Sequence, residues 1–485
     1  MKTVFSSHRP TSWMLLLSFF LLPILTADAQ NSRTSIKHSI NNGRNKIVYN
    51  NGSQKYRIEF EGDITLSDDD KDVVAISRGG FIEISKSAFG SRRRILIEPD
   101  RNGGVTRQYF VGRSRQDFEP EGKAWLAEVL PEILRTTTIS APTRVDRFYR
   151  EGGVDAVLTE VNQIESDHVA SVYLKLLLEK DLKTEELTRV IDVASRKIDS
   201  DHHMASLLKS SSKDLLTTEA SIRTYLKAVD DIDSDHYQAD ILRGLIRDGD
   251  MPEKYVHSLI EVAGEIDSDH YVVSVLKEVI DEYTLEQENQ VVFLKAASNI
   301  DSDHHTVELL RRFAKKKKLE PSNIGLFLKI LEDIDSDHHL INIGNELLDE
   351  PLEEDVLIQL LAVVSKNVES DHYMHAFLKR AVNKQEVNGG AFQEVLEAME
   401  DMDSGHYLAL TIKSIARKGN LSDNQLVDLI YFTADVDSDH HKTEALVALS
   451  KQTKKAGGKA LETYRKVAKD IDSEVYYGRA LKAID

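Results

Sequence analysis

The sequence predicts an α+β chain: a small N-terminal antiparallel β-sheet domain, then an all-α right-handed solenoid of ten helix-turn-helix repeats. Two observations carry this reading. Between about Lys46 and Gly112, apolar residues alternate with charged ones, as in "KYRIEFEGDITLS", and period two marks half-buried strands. Further on, histidines stand at 168, 202, 236, 270, 304, 338, 372, 406 and 440, always 34 residues apart. A fixed period of that size marks a tandem array.

Residues 1–29 begin with Lys2 and Arg9, continue as an apolar run from Trp13 to Leu25, and end in Ala27-Asp28-Ala29 before Gln30. That order is expected of a secretory signal peptide, and the run is too short for an ordinary membrane helix. No later stretch approaches the ~20 consecutive apolar residues of a span. The chain contains no cysteine, so neither disulfides nor a lipid on an N-terminal Cys is expected. The expected product is exported and soluble, in the periplasm or outside the cell, and not a lipoprotein.

Residues 30–45 read as a flexible segment and 46–116 as the sheet domain. Tyr56, Ile58 and Phe60 alternate with charged neighbours, and "GFIEISK", "RRILIEP" and "VTRQYFVG" repeat the pattern. Turn signals at Asn51-Gly52, Asp68 to Asp70, Gly79-Gly80 and Asn102-Gly103-Gly104 separate them, which suggests roughly five or six strands. Residues 117–150 read as linking helices. In "FEPEGKAWLAEVLPEILR", Pro120 suits a first turn, Pro131 suggests a kink, and Trp125, Leu126, Val129, Leu130, Ile133 and Leu134 form one apolar face. A short helix around Thr143 to Arg150 should end at Gly152-Gly153.

Residues 151–485 hold the repeats. Six positions after each histidine stand Leu174, Leu208, Leu242, Leu276, Leu310, Gly344, Leu378, Ile412 and Leu446, on a first helix. Eleven positions before it stand Val157, Ile191, Tyr225, Leu259, Phe293, Phe327, Leu361, Val395 and Leu429, on a second. Stretches such as "GDMPEK", "KLEPSN" and "GNLSDN" turn between the two. Two short amphipathic helices cannot bury their apolar stripes alone, so the units must stack. A tenth copy, "IDSEVY" at 471–476, comes one residue late and lacks the histidine. It reads as a capping repeat, with the extra residue in "KKAGGKA".

The repeated motif is typified by "IDSDHH" at 300–305. Its serines are Ser166, Ser200, Ser234, Ser268, Ser302, Ser336, Ser370, Ser404, Ser438 and Ser473, each expected to cap a helix through its side chain. The acidic residue that follows in most copies suits the positive end of the helix dipole. Asp and His together are expected to tie each turn to its neighbour's backbone. Ser302, Asp303 and His304 do not make a hydrolase triad, because consecutive helical residues point about 100° apart. A metal role would fall to His202, His236, His270, His304, His338 and His372, helped by His-His pairs at 202–203, 304–305, 338–339 and 440–441, yet each turn offers too few donors converging on one point. After the histidine comes mostly His or Tyr, including Tyr237, Tyr271, Tyr373 and Tyr407, which suits an amphipathic side chain at a groove edge, either for core packing or as a contact surface.

No H-E-x-x-H, G-x-S-x-G or P-loop motif occurs. "SDDDKD" at 67–72 reads as a solvated turn rather than a calcium loop. Residues 30–150 carry 21 Lys plus Arg against 16 Asp plus Glu, net +5, whereas 151–485 carry net −25. Such acidity disfavours nucleic acid and anionic membrane as ligands. Arg92, Arg93 and Arg94 read either as a charged sheet edge or as a docking patch for the acidic array or another partner.

Several segments resemble a known family: "GGFIEISKS", "RQYFVGRSRQDFEPEGKAWLAEVLPEILR", "RVDRFYREGGVDAVLTEVNQIESDHVASVYLKLLL" and the later Ser-Asp-His/Tyr units. They are similar to a repeat family of exported bacterial proteins, regions of which also occur attached to membrane metallopeptidases of the beta-lactam-sensor type. The likeness covers nearly all of the chain beyond residue 29. It implies a periplasmic helical-repeat protein of HEAT- or tetratricopeptide-like plan, although the tetratricopeptide Trp, Leu-Gly and Tyr pattern is absent. The peptidase's zinc motif and membrane helices are also absent, so protease activity does not carry over. The expected function is a non-enzymatic protein–protein scaffold, monomeric, with an unidentified protein partner and no cofactor. The alternatives are a metal or cation binder using the Asp-His ladder, or a hydrolase with its site between sheet and array.

Overall fold

Alternating apolar and charged residues fold as strands because a single face of each can then be buried. The computed structural model describes residues 35–41, 44–50, 54–88, 90–419 and 421–485. The chain divides between Ser140 and Ala141 into two compact units. The expected signal peptide, residues 1–29, lies outside the described residues.

The first unit contains β1 (Ser35–Asn41), β2 (Arg44–Asn50), β3 (Gln54–Glu61), β4 (Ile64–Leu66), β5 (Val73–Ile76), β6 (Phe81–Ala88), β7 (Ser91–Pro99), β8 (Val105–Val111) and β9 (Ser114–Gln116). Seven of them form an antiparallel sheet in the order β1-β2-β3-β6-β7-β8-β9, and β4 and β5 pair separately. The register places Ile47 opposite Ile58, Ile58 opposite Ile84, Ile84 opposite Ile95 and Ile95 opposite Tyr109. All five are buried, so one apolar row crosses the sheet. Each full burial is worth about 1.5–3 kcal/mol. Helix α1 (Lys123–Thr136) lays Trp125, Leu126, Val129, Leu130, Ile133 and Leu134 into the same core, a helix covering one face of a sheet.

Four expectations change here. Among the described residues the strands number nine rather than five or six, because β1 and β9 lie outside the stretch from Lys46 to Gly112 that shows the alternation, and β9 is short and wholly exposed. The span 30–45 is not simply a flexible segment, since β1 pairs with β2 from Ser35–Asn50 to Asn41–Arg44. That ladder satisfies backbone groups that β2 would otherwise leave open. Helix α1 runs on through Pro131, its apolar face buried on both sides by Leu130 and Ile133. Residues 117–150 are not one linker: α1 belongs to the sheet core, whereas α2 (Ala141–Gln163) places Ala141 and Val145 in the helical core. Gly152 and Gly153 interrupt α2, and Gly153 has φ 63°, a conformation glycine adopts without steric penalty.

The second unit is a stack of helix pairs. First helices are Asp167–Leu178, Asp201–Ser210, Asp235–Arg247, Asp269–Glu282, Asp303–Lys316, Asp337–Leu347, Asp371–Lys384, Gly405–Lys418, Asp439–Ala456 and Glu474–Ile484. Second helices are Thr184–Lys197, Glu219–Asp230, Val256–Gly264, Gln287–Ser298, Ile324–Glu332, Glu354–Asn367, Gly389–Glu400, Asp423–Phe432 and Gly458–Ala468. Each first helix packs on the next unit's first helix, and second helices do likewise along most of the array, giving two layers. The residues six after and eleven before each histidine are buried throughout, in one continuous core from Ala141 to Ile484. The extra residue of the tenth copy is absorbed where Gly457 and Gly458 take φ 63° and 45°.

Gly344 stands where eight counterparts are Leu or Ile. A Cβ there would lie 3.0 Å from Phe377 Cε2, so the next unit's fully buried Phe377 fills the space that a leucine occupies elsewhere. Gly344→Leu should cost about 1–3 kcal/mol by overpacking, and Phe377→Ala about 3–5 kcal/mol by leaving a cavity. In a denaturant-unfolding double-mutant cycle the combined variant should cost clearly less than the sum. Additive costs would show that the two positions do not share one volume.

Candidate functional site

Each unit passes from its second helix to the next first helix through the repeated motif. The leading apolar residue, such as Ile198, Ile300 or Val436, is buried and pins the turn to the core. Serine follows in extended backbone (Ser302 has φ −87°, ψ 113°), and its carbonyl accepts the first helical bond, from Thr306 at 2.9 Å. All ten serines hold this N-cap position. Ser166 caps through its hydroxyl, which accepts from the Val169 N–H at 3.4 Å. At Ser200, Ser234, Ser268, Ser302, Ser336, Ser370, Ser404, Ser438 and Ser473 no side-chain cap bond forms. The side-chain capping expected of them is therefore corrected.

The reason is that the serine's backbone N–H makes the important contact. The N–H of Ser200 donates to Asp167 Oδ2 of the preceding unit at 2.7 Å. The same bond joins Ser268 to Asp235 at 3.0 Å, Ser302 to Asp269 at 2.9 Å and Ser336 to Asp303 at 2.9 Å. It continues from Ser370 to Asp337 at 2.9 Å, Ser404 to Asp371 at 2.6 Å and Ser473 to Asp439 at 2.9 Å. Each of these seven aspartates thus begins its own helix and also holds the next unit's turn. A half-buried N–H bonded to a carboxylate contributes about 1.5–3 kcal/mol. The bond does not form between Ser234 and Asp201, and Gly405 removes the carboxylate altogether; a Cβ there would sit 3.2 Å from Asp437 N. The tie to neighbouring backbone expected of Asp is present.

The tie expected of histidine takes another form. The motif histidines are exposed and meet the neighbouring unit by ring contact. Within a unit the two consecutive rings, such as His304 and His305, have centroids 5.0–5.4 Å apart. Between units, the second ring of one lies 4.8–6.4 Å from the histidine before it. The result is an unbroken zigzag of imidazole and phenol rings from His168 to Tyr476. Tyr237, Tyr271, Tyr373, Tyr407 and Tyr476 also pack against the core, as expected of an amphipathic side chain at a groove edge.

Electrostatics along the zigzag follow from this proximity. Burial pushes His203 below its ordinary value, aided by His168 and His202; His441 is lowered by burial and by His406 and His440. Half-buried His375 is pushed down to about 4, chiefly by burial, with Lys379, His372 and His406 adding to it. Its Nδ1 lies 3.0 Å from Thr411 Oγ1.

Of the six histidines named as possible metal ligands, His304 falls in a group of three metal-ligating side chains among the described residues. Its donor lies within 4.8 Å of those of His305 and Glu308. His305 belongs to a His-His pair that the sequence offers as candidate ligands, whereas Glu308 was not singled out, although the His-His-x-x-Glu spacing is there to read. His202, His236, His270, His338 and His372 lie in the ring zigzag without such a group. Also unforeseen was a buried ion pair, Arg144 with Glu160 at 2.8 Å, in which Arg144 also meets the Tyr173 hydroxyl. It sits inside the core at the start of the helical unit.

In the sheet unit, the edge reading of the arginine triplet is corrected. Strand β7 lies between β6 and β8, Arg94 pairs with Glu83 at 2.9 Å, and its guanidinium lies 4.0 Å from the Phe110 ring centroid. Arg92 and Arg93 are exposed. In "SDDDKD" the Asp72 carboxylate is not simply solvated, since it accepts from Arg107 at 3.1 and 2.8 Å. Among the described residues no helix is long and apolar enough to cross a membrane.

No family model matches the chain, and no curated protein matches it. Among solved structures, it is similar to a circular tandem repeat protein with novel repeat topology and enhanced subunit contact surfaces. That match is 12% identical, covers 75% of this chain and 78% of the other, and has a TM-score of 0.13. Another is a structure described under the computational design of self-assembling cyclic protein homooligomers, at 13% identity, 68% and 93% coverage, and a TM-score of 0.10. At these scores neither bears on role.

His375 gives a pH dependence with a definite sign. An unfolded histidine titrates near 6.5, so below about pH 6.5 the unfolded chain takes up a proton that the folded ring resists. The stability contributed by the neutral ring is complete above that value and is lost as pH falls toward about 4. In denaturant melts at stepwise lower pH, His375→Gln should lose stability less steeply than the parent chain. Equal slopes would contradict this account of the ring.

Proposed function

We propose that this chain is a non-enzymatic, exported scaffold for protein–protein interaction, with the helical unit as its binding element. The single observation that supports the reading best is the exposed ring zigzag. It repeats one imidazole–aromatic surface at every unit, and only part of each ring pair is used in packing the core. Aromatic side chains offer large contact areas at low conformational-entropy cost and are enriched at interfaces. Stacked repeats present such a surface over a long, regular span. Net charge of −25 over residues 151–485 favours a partner with a basic surface, met faster at low salt. Export rests on the pattern of residues 1–29.

Photo-crosslinking in the native envelope tests this. A crosslinking residue placed at His236 or His338, on the zigzag, should capture a discrete protein. One placed at exposed Lys295 or Lys366, on second helices, should capture it far less. Capture should persist in a chain lacking residues 30–140, which leaves the helical unit whole, and weaken as salt rises. Equal capture from both layers, or none from the zigzag, would count against the scaffold reading.

A further inference from the structure

We infer that His304, His305 and Glu308 form a binding site for a divalent transition-metal ion of the zinc type, independent of any protein partner. Three observations meet there. The three side chains place one donor each within 4.8 Å of one another. Donors around a tetrahedral zinc lie about 3.3 Å apart, since each stands ~2.0–2.2 Å from the ion. Closing that gap needs small rotations, and His304 and Glu308 are exposed and able to make them. Second, His305 Nδ1 is buried and has no hydrogen-bond partner, although buried polar atoms ordinarily find one.

Third, the surroundings favour imidazole ligation here over other points of the zigzag. Elsewhere tyrosines hold the runs to three histidines at most, as in His168, His203 and His202 or His406, His441 and His440. Here His270, His305, His304, His339 and His338 follow one another without a phenol, joined by contacts of 6.4, 5.4, 5.8 and 5.3 Å. His270 and His339 therefore flank the trio, and either of them or a water can complete the coordination. Two imidazoles and a carboxylate suit zinc. Calcium, which needs six to eight oxygens, is excluded by the donor set.

A cation already sits at the carboxylate. Lys277 Nζ lies 2.5 Å from Glu308 Oε1, and this contact holds the Glu308 carboxyl ionised, below its ordinary value. A metal must displace Lys277. The positive end of the helix beginning at Asp303 also opposes it, so the site is one of moderate affinity. The chain carries its own control. His440, His441 and Glu444 repeat the same spacing four units later, but Glu444 is held by both Lys413 at 3.2 Å and Arg479 at 2.5 Å. The same donors in the same motif are there closed by a second cation.

Zinc titrated calorimetrically into the chain without residues 1–29, at about pH 7.5 where imidazole donors are neutral, should show one event tighter than any other. Cobalt at that site should give the intense visible bands of four-coordination. Glu308→Gln and His305→Ala should each weaken the event by about tenfold or more. Lys277→Met should tighten it, and His441→Ala should leave it unchanged. Calcium should not compete. The site is overturned if no distinct event occurs, if Glu308→Gln leaves it intact, or if His441→Ala weakens it as much as His305→Ala. The last result would mean diffuse binding along the histidines. Partner capture in the crosslinking experiment is a separate readout, so either idea can fail alone.

Discussion

The bond on which the helical unit depends is the one from a serine N–H to the aspartate of the preceding unit. Stacking amphipathic pairs buries apolar stripes without fixing register, because neighbouring helices can slide while keeping most of their contact. A carboxylate at the first helical position, reaching 2.6–3.0 Å to the next turn's backbone, permits little sliding. It also satisfies an N–H at a helix start, where four donors lack partners within the helix. Once the turns are locked, the buried leading residue, the core positions and the zigzag of rings take their spacing from it.

This makes the motif a division of labour among adjacent residues. Ile, Val or Met anchors inward, Ser supplies a backbone donor, Asp bridges to the neighbour in most units, and the next two side chains carry the zigzag of rings. Ion pairs between successive first helices, such as Arg243 with Glu278 and Arg312 with Asp281, run alongside. Exposed pairs of this kind add little individually. The motif histidines are the exposed members of the turn, and it is on them that the proposed binding role falls.

Much of this was legible from residues. The 34-residue histidine spacing located every turn, and the series Leu174 to Leu446 and Val157 to Leu429 named core positions that are indeed buried. What escaped notice depended on facts that a sequence does not display. Serine at an N-cap looks like a side-chain cap, and whether the hydroxyl or the N–H acts is decided by the neighbour 33 or 34 residues away. Exposed Arg92 and Arg93 look like edge guards until strand order places β7 inside the sheet. Gly344 breaks the leucine series in sequence, and only the fold shows Phe377 filling its space. Glu308 gives no signal in the repeat, because it is not periodic like the motif histidines, whereas a metal site needs such neighbours.

Native-state amide hydrogen exchange on the full array tests the central claim most directly, because the chain contains an internal comparison. Ser302, Ser336, Ser370 and Ser404 each face an aspartate from the unit before, whereas Ser438 faces Gly405. Slow exchange at the first four amides, with clearly faster exchange at Ser438, is the result this account predicts. Equal protection at all five would show that the carboxylate is not what holds the turns.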